Sequence, residues 1–78
     1  MNIIEALSAL QANNIETVTD LNANAAWSID NLKDQINEVI AEDRLEDTSD
    51  KGEWVVDADG ITQLDDNGHR TRNRYIAC

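Results

Sequence analysis

"TVTDLNANAAWSIDNLKDQINEVIAEDRLED", residues 17–47, is the stretch on which the fold turns. It closes a longer run, residues 1–47, that contains neither Gly nor Pro and carries apolar residues at helical spacing. Thr17 with Asp20 has the form of a capping box ahead of Val18 and Leu21, which predicts a helix near residues 17–24. Ser28 can cap the next segment, where Leu32, Ile36, Val39 and Ile40 form one stripe, predicting a helix near 28–43. Upstream, Asn2 with Glu5 precedes Ile3, Ile4, Leu7 and Leu10, and predicts a helix near 2–13.

Downstream the chemistry changes. The three glycines, at 52, 60 and 68, end the strings "SDKG", "DADG" and "DDNG". These are turn sequences, because Gly tolerates positive φ and Asp or Asn can bond the neighbouring backbone. The short runs "EWVVD", "ITQLD" and "HRTRNRYIAC" between and after them are rich in β-branched and aromatic residues, and predict a small antiparallel meander or a hairpin closed at Asn67 and Gly68. The chain thus reads as one α+β domain over 1–78, with a helical part (1–47) and a β part (52–78). Its expected core is Ile4, Leu7, Leu10, Val18, Leu21, Leu32, Ile36, Val39 and Leu45, with Trp27 bridging the helices.

Composition limits what that domain can do. A chain of 78 residues has one small core and buries only about 60% of its unfolded surface. With no Phe, one Tyr and two Trp, aliphatic side chains must do most of the packing. The single cysteine, Cys78, excludes an internal disulfide and reads as a thiol on a frayed end, or as the link of a homodimer. The N-terminal "MNIIEALSAL" lacks a basic segment and no run approaches the roughly 18 apolar residues of a membrane span, so a cytoplasmic protein with no membrane partner is expected.

The formal charge is −10, and it is unevenly placed. All sixteen acidic residues precede position 69, while Arg70, Arg72 and Arg74 are half of the six basic residues. Such acidity suits a basic partner, a salty cell interior in which charge is screened, or simple solubility.

The order of elements and the apolar register from Thr17 to Leu45 resemble the winged helix-turn-helix family. Leu21 and Ala25 fall on the inner face of the second helix of that pattern, Ala26 at its tight turn, Trp27 at the junction, and Leu32, Ile36 and Val39 on the inner face of the third. Asp43 and Ala26 stand where the family often has Gly. The resemblance implies three helices followed by a β-hairpin wing, with the third helix in a DNA major groove and the wing on phosphate or minor groove. A three-helix bundle with a disordered tail is the alternative.

Alternate residues of a strand share a face, so Arg70, Arg72 and Arg74 project together. With His69 and Asn67 at the turn they form a candidate phosphate-binding ridge. A charged edge strand protected against pairing explains the same pattern. Lys33, Asn31 and Asn37 are the only residues of the implied recognition helix suited to a groove. Its outward face is otherwise acidic, with Asp30, Asp34 and Glu38, which suits repulsion from DNA, imitation of a phosphate row, or plain solvation.

Other chemistry finds no support. With Gly60 in the glycine position of a calcium loop, the first ligand would be Val55, so no metal is expected. His69 and Cys78 make neither a zinc site nor a catalytic pair, and no phosphate loop or nucleophile elbow is present, so neither a cofactor nor enzymatic activity is expected. Two functions remain. One is a regulator of transcription or replication, of viral or mobile-element origin, that holds DNA through the arginines. The other is an acidic protein that occupies and inhibits a basic nucleic-acid-processing protein through a DNA-mimicking face.

Overall fold

Residues 17–28 form a β-hairpin, and that difference reorganises the molecule. The computed structural model describes all 78 residues. Helix α1 (Ile3–Ala12) is followed by strands β1 (Thr17–Asp20) and β2 (Ala25–Ser28) and helix α2 (Ile29–Ala41). After a 3-10 turn at Leu45–Asp47 come β3 (Trp54–Val56), β4 (Gly60–Leu64) and β5 (Arg70–Ala77). The five strands make one antiparallel sheet in the order β2-β1-β5-β4-β3. Two helices and a five-stranded sheet replace the expected three helices and β-hairpin wing, so the fold is not a winged helix-turn-helix.

The physical reason lies in residues 17–24. Thr17, Val18 and Thr19 are β-branched and favour extended backbone, and Val18 is fully buried while its neighbours are only partly so. Asp20, expected as a helix-capping acid, instead accepts hydrogen bonds from the N–H groups of Asn22 (3.0 Å) and Ala23 (3.4 Å), an Asx-type turn. Asn24 then takes φ 51°, a left-handed conformation that Asn tolerates well. Leu21 sits at the hairpin tip, 50% exposed, and is not a core residue. The strand is secured from far along the chain: Val18, Thr19 and Asp20 lie opposite Ala77, Ile76 and Tyr75 of β5.

The outer helices follow their sequence signals. Asn2 Oδ1 accepts from the Glu5 N–H at 2.9 Å and Glu5 Oε1 from the Asn2 N–H at 3.0 Å, closing the capping box of α1. Ser28 Oγ accepts from the Asn31 N–H at 3.2 Å and starts α2. Past the end of α2, Asp43 has φ 56°, the left-handed geometry often given to Gly. The meander is also present: Asp65 and His69 close the β4–β5 hairpin across Asn67 and Gly68 through an N–H to carbonyl bond of 2.8 Å.

Both helices cover one face of the sheet. Ile3, Ala6, Leu7 and Leu10 of α1 and Ile29, Leu32 and Ile36 of α2 pack with Val18, Trp54, Ile61 and Tyr75 of the strands. Of the expected core, Ile4, Val39, Leu45 and Trp27 are only half-buried. Trp54, absent from that expected core, is fully buried, 5.7 Å from the Tyr75 ring, and its indole N–H donates to the Asp50 carbonyl at 3.0 Å. Where β4 passes β5, a Cβ on Gly60 would lie 2.1 Å from the Tyr75 carbonyl oxygen, so only glycine allows that approach. No helix is long and apolar enough to cross a membrane.

Candidate functional site

The sheet divides the candidate residues between two surfaces. Directly opposed residues of antiparallel strands share a face, and the pairs Thr19 with Ile76, Ile76 with Gly60, and Arg74 with Thr62 place these side chains on the face that carries no helix. The arginines lie on that face, on a strand with neighbours on both sides for part of its length. β5 is central to the sheet; the edges are β2 and β3, so the arginines do not serve to protect an edge strand.

Two of the three arginines are held within the protein. Arg70 pairs with Asp57, and Arg74 Nη2 lies 3.7 Å from the other oxygen of the same carboxylate. Arg74 Nε also donates to Thr62 Oγ1 at 2.9 Å, and Thr62 in turn donates to Asp57. The hydroxyl of Thr62, then the Arg70 guanidinium, hold the Asp57 carboxyl below the usual carboxylate range. Arg72 is exposed and makes no ion pair. The ridge is therefore two guanidiniums on one largely covered carboxylate, with Arg72 outside that cluster.

The hairpin tip is not purely basic either. Asp65 Oδ1 accepts from the N–H groups of His69 and Asn67, each at 2.9 Å, and these bonds lower its pKa, that of His69 most. His69 Nδ1 stands 4.0 Å from Asp65, so a phosphate approaching His69 and Asn67 would meet the carboxylates of Asp65 and Asp66 in the same turn.

The other surface is the exposed side of α2. Successive side chains four residues apart lie above one another on a helix, which aligns Asp30, Asp34 and Glu38, all exposed, with Glu42 at the helix end. Asp30 Oδ1 accepts from Gln11 Nε2 at 2.8 Å, which orients the first member of the row. Lys33 does not offset them: its ammonium donates to Ser8 Oγ and Gln11 Oε1, each at 2.9 Å, and is drawn onto α1. Asn31 is exposed beside the row. From Ser28 to Asp50 there are eight carboxylates and two basic residues, Lys33 and Arg44, the latter 3.2 Å from Glu42.

The acidic loop after α2 is tied to the sheet. Tyr75 Oη donates to Asp50 Oδ1 at 2.7 Å, and Gln63 Nε2 donates to the Ser49 carbonyl at 2.8 Å and to that of Lys51. Burial pushes the Asp50 carboxyl up, against the lowering effect of the Tyr75 hydroxyl, and burial likewise raises Tyr75. Asp50, Gln63 and Trp54 were not legible as a unit, since their contacts join separate segments. Cys78 is not on a frayed end: its N–H donates to the Thr17 carbonyl at 3.1 Å and its thiol lies 2.9 Å from Thr19 Oγ1.

No group of three or more His, Cys, Asp or Glu side chains is placed to hold a metal ion. Comparison with protein-family models, with curated proteins and with solved structures finds no match to this chain.

Proposed function

We propose that this chain is a small, non-enzymatic, cytoplasmic protein that binds a basic nucleic-acid-processing protein and blocks its nucleic-acid site. The observation that carries this reading is the row Asp30, Asp34 and Glu38 on the exposed side of α2, with its one neighbouring ammonium, Lys33, bonded to α1 instead. A helix rises 1.5 Å per residue, so the row presents an anionic group about every 6 Å along a rigid rod. A basic groove shaped for phosphates would meet charge of the right sign, held at little further entropic cost.

The competing reading, a DNA-binding regulator that uses Arg70, Arg72 and Arg74, has less behind it. Asp57 already engages two of the three, and the rest of the molecule carries a large negative charge that repels a polyanion.

One experiment separates them. The protein should release duplex DNA from a basic DNA-binding protein that it targets, and Asp30→Lys with Asp34→Lys should abolish release while Arg70→Ala, Arg72→Ala and Arg74→Ala together leave it intact. The protein alone should retain no duplex DNA at low salt. Direct DNA binding that is lost in the triple arginine variant, with a salt slope reduced by roughly 0.9 log unit per phosphate contact removed, would refute the mimicry and support the arginine reading.

A further inference from the structure

Around α2 from Asp30 and Asp34, on the side of Leu32, Ile36 and Val39, lies a cleft of different chemistry. Leu32, Ile36 and Val39 of α2, with Gln35 at the rim, form one wall, and Leu45, Thr48 and Asp50 of the following loop form the other, around a space of about 100 Å³. An apolar cavity of about 150 Å³ accommodates a benzene ring, so this space has room for the end of an aliphatic side chain. Val39 and Leu45, at its mouth, are half-buried, whereas Leu32 and Ile36 at its floor are 5% and 3% exposed.

The surroundings select the occupant. Residues three apart on a helix are neighbours, so Glu38 adjoins Gln35 and Glu42 adjoins Val39 along the α2 rim. Glu46 and Asp47 directly follow Leu45 on the loop rim, and both are exposed. The cleft is an apolar notch between two acidic banks, with Arg44 engaged by Glu42 as the local base. A free nucleic acid is excluded by that charge. A second copy of this chain would bring its own excess of carboxylates.

We infer that this notch takes one aliphatic side chain of the partner protein, presented on a segment with Lys or Arg on either side of it. The inference rests on the reading of the α2 side as a protein-binding surface, and adds to it an anchor that pure phosphate mimicry would lack. Charge brings the segment to the surface and is sensitive to salt; the buried aliphatic group sets the residence time and is not. The notch thereby distinguishes a basic segment carrying an aliphatic residue from one that carries only charge.

Two synthetic peptides test it: four arginines with leucine at the centre, and the same with serine. Each is titrated into the full chain while its methyl resonances are followed by NMR. The leucine peptide should bind about tenfold more tightly, the order expected for moving an aliphatic side chain from water into a half-open apolar site. Methyl shifts should concentrate at Leu32, Ile36, Val39 and Leu45 and spare Val18 and Val55. Val39→Phe, which fills the notch, should remove the advantage of leucine and keep the affinity for the serine peptide; the wild-type shifts carry the test should that variant not fold. Equal affinities, both salt-dependent and both lost in Asp34→Lys with Glu38→Lys, overturn the notch and leave the acidic surface standing. Binding of neither peptide at low salt overturns both. Notch shifts that follow protein concentration without peptide assign the notch to a second copy and overturn the inference.

Discussion

Asp50 shows how a single side chain couples the acidic loop to the core. Its carboxylate accepts from Tyr75, a residue of the central strand, yet burial and the nearby Asp20 raise its pKa above the ordinary value. Between the unfolded value, about 3.9, and the raised folded value, the native state holds a proton that the unfolded chain has released. Stability from this group therefore falls as pH rises through that window. Asp57 and Asp65 act in the opposite sense: their folded values are lowered, so their contribution is present above about pH 3.9 and is lost as pH falls through the folded values. The difference between the wild type and Asp50→Asn isolates the first effect. The amide keeps an oxygen acceptor for the Tyr75 hydroxyl and cannot ionise. Thermal melts should show Asp50→Asn as stable as the wild type or more so at pH 7, with the gap closing near pH 4 and below. A variant that melts lower at pH 7 would mean that the charged hydrogen bond outweighs desolvation.

At the scale of elements, the β1–β2 hairpin is the decisive unit. Thr17 and Asp20 satisfy the spacing of a helix cap and equally that of a strand ending in an Asx turn. Local signals for the two states nearly balance, and the alternating burial of Thr17, Val18 and Thr19 has a partner only because β5 lies alongside. A pair of substitutions distinguishes the two structures. On a helix packed into the core, Leu21 would be as costly to truncate as Ile36. In the hairpin it stands at the tip, so Leu21→Ala should change the free energy of unfolding in urea by less than about 0.5 kcal/mol. Ile36→Ala, which empties a site 3% exposed, should cost about 2 to 5 kcal/mol. Comparable losses at the two positions would contradict the hairpin.

Across the whole molecule, charge is sorted by layer. The α2 side and its loop carry most of the excess carboxylate, and the helix-free face of the sheet carries the three arginines, two of them paired with Asp57. Residues 1–68 hold thirteen net negative charges and residues 69–78 three positive ones, so the sheet brings the basic end of the chain against the acidic remainder. This offsets only part of the self-repulsion of a protein with net charge −10. Sodium chloride shortens the screening length from about 10 Å at 0.1 M to about 3 Å at 1 M, so the melting temperature should rise over that range. A flat or falling curve would show that the internal ion pairs outweigh the repulsion.

Short-range chemistry is legible along the chain wherever it has no rival. The Asn2–Glu5 box and the Ser28 cap start helices because the acceptor and the N–H that it satisfies lie within one turn. The Asn67–Gly68 turn forms because its residues tolerate it, and the acidic row of α2 is exposed because it lies opposite the stripe of Leu32 and Ile36. Other features depend on distant partners and arise only on folding: Thr17–Asp20 is a strand, Arg70 and Arg74 meet Asp57, Lys33 turns away from the acidic row, and Trp54 and Asp50 join the loop to the sheet. The hairpin is stabilised by hydrogen bonds to β5, more than fifty residues away. A window short enough to show helical periodicity cannot contain both strands, and the energy of their pairing exists only when the chain has closed on itself.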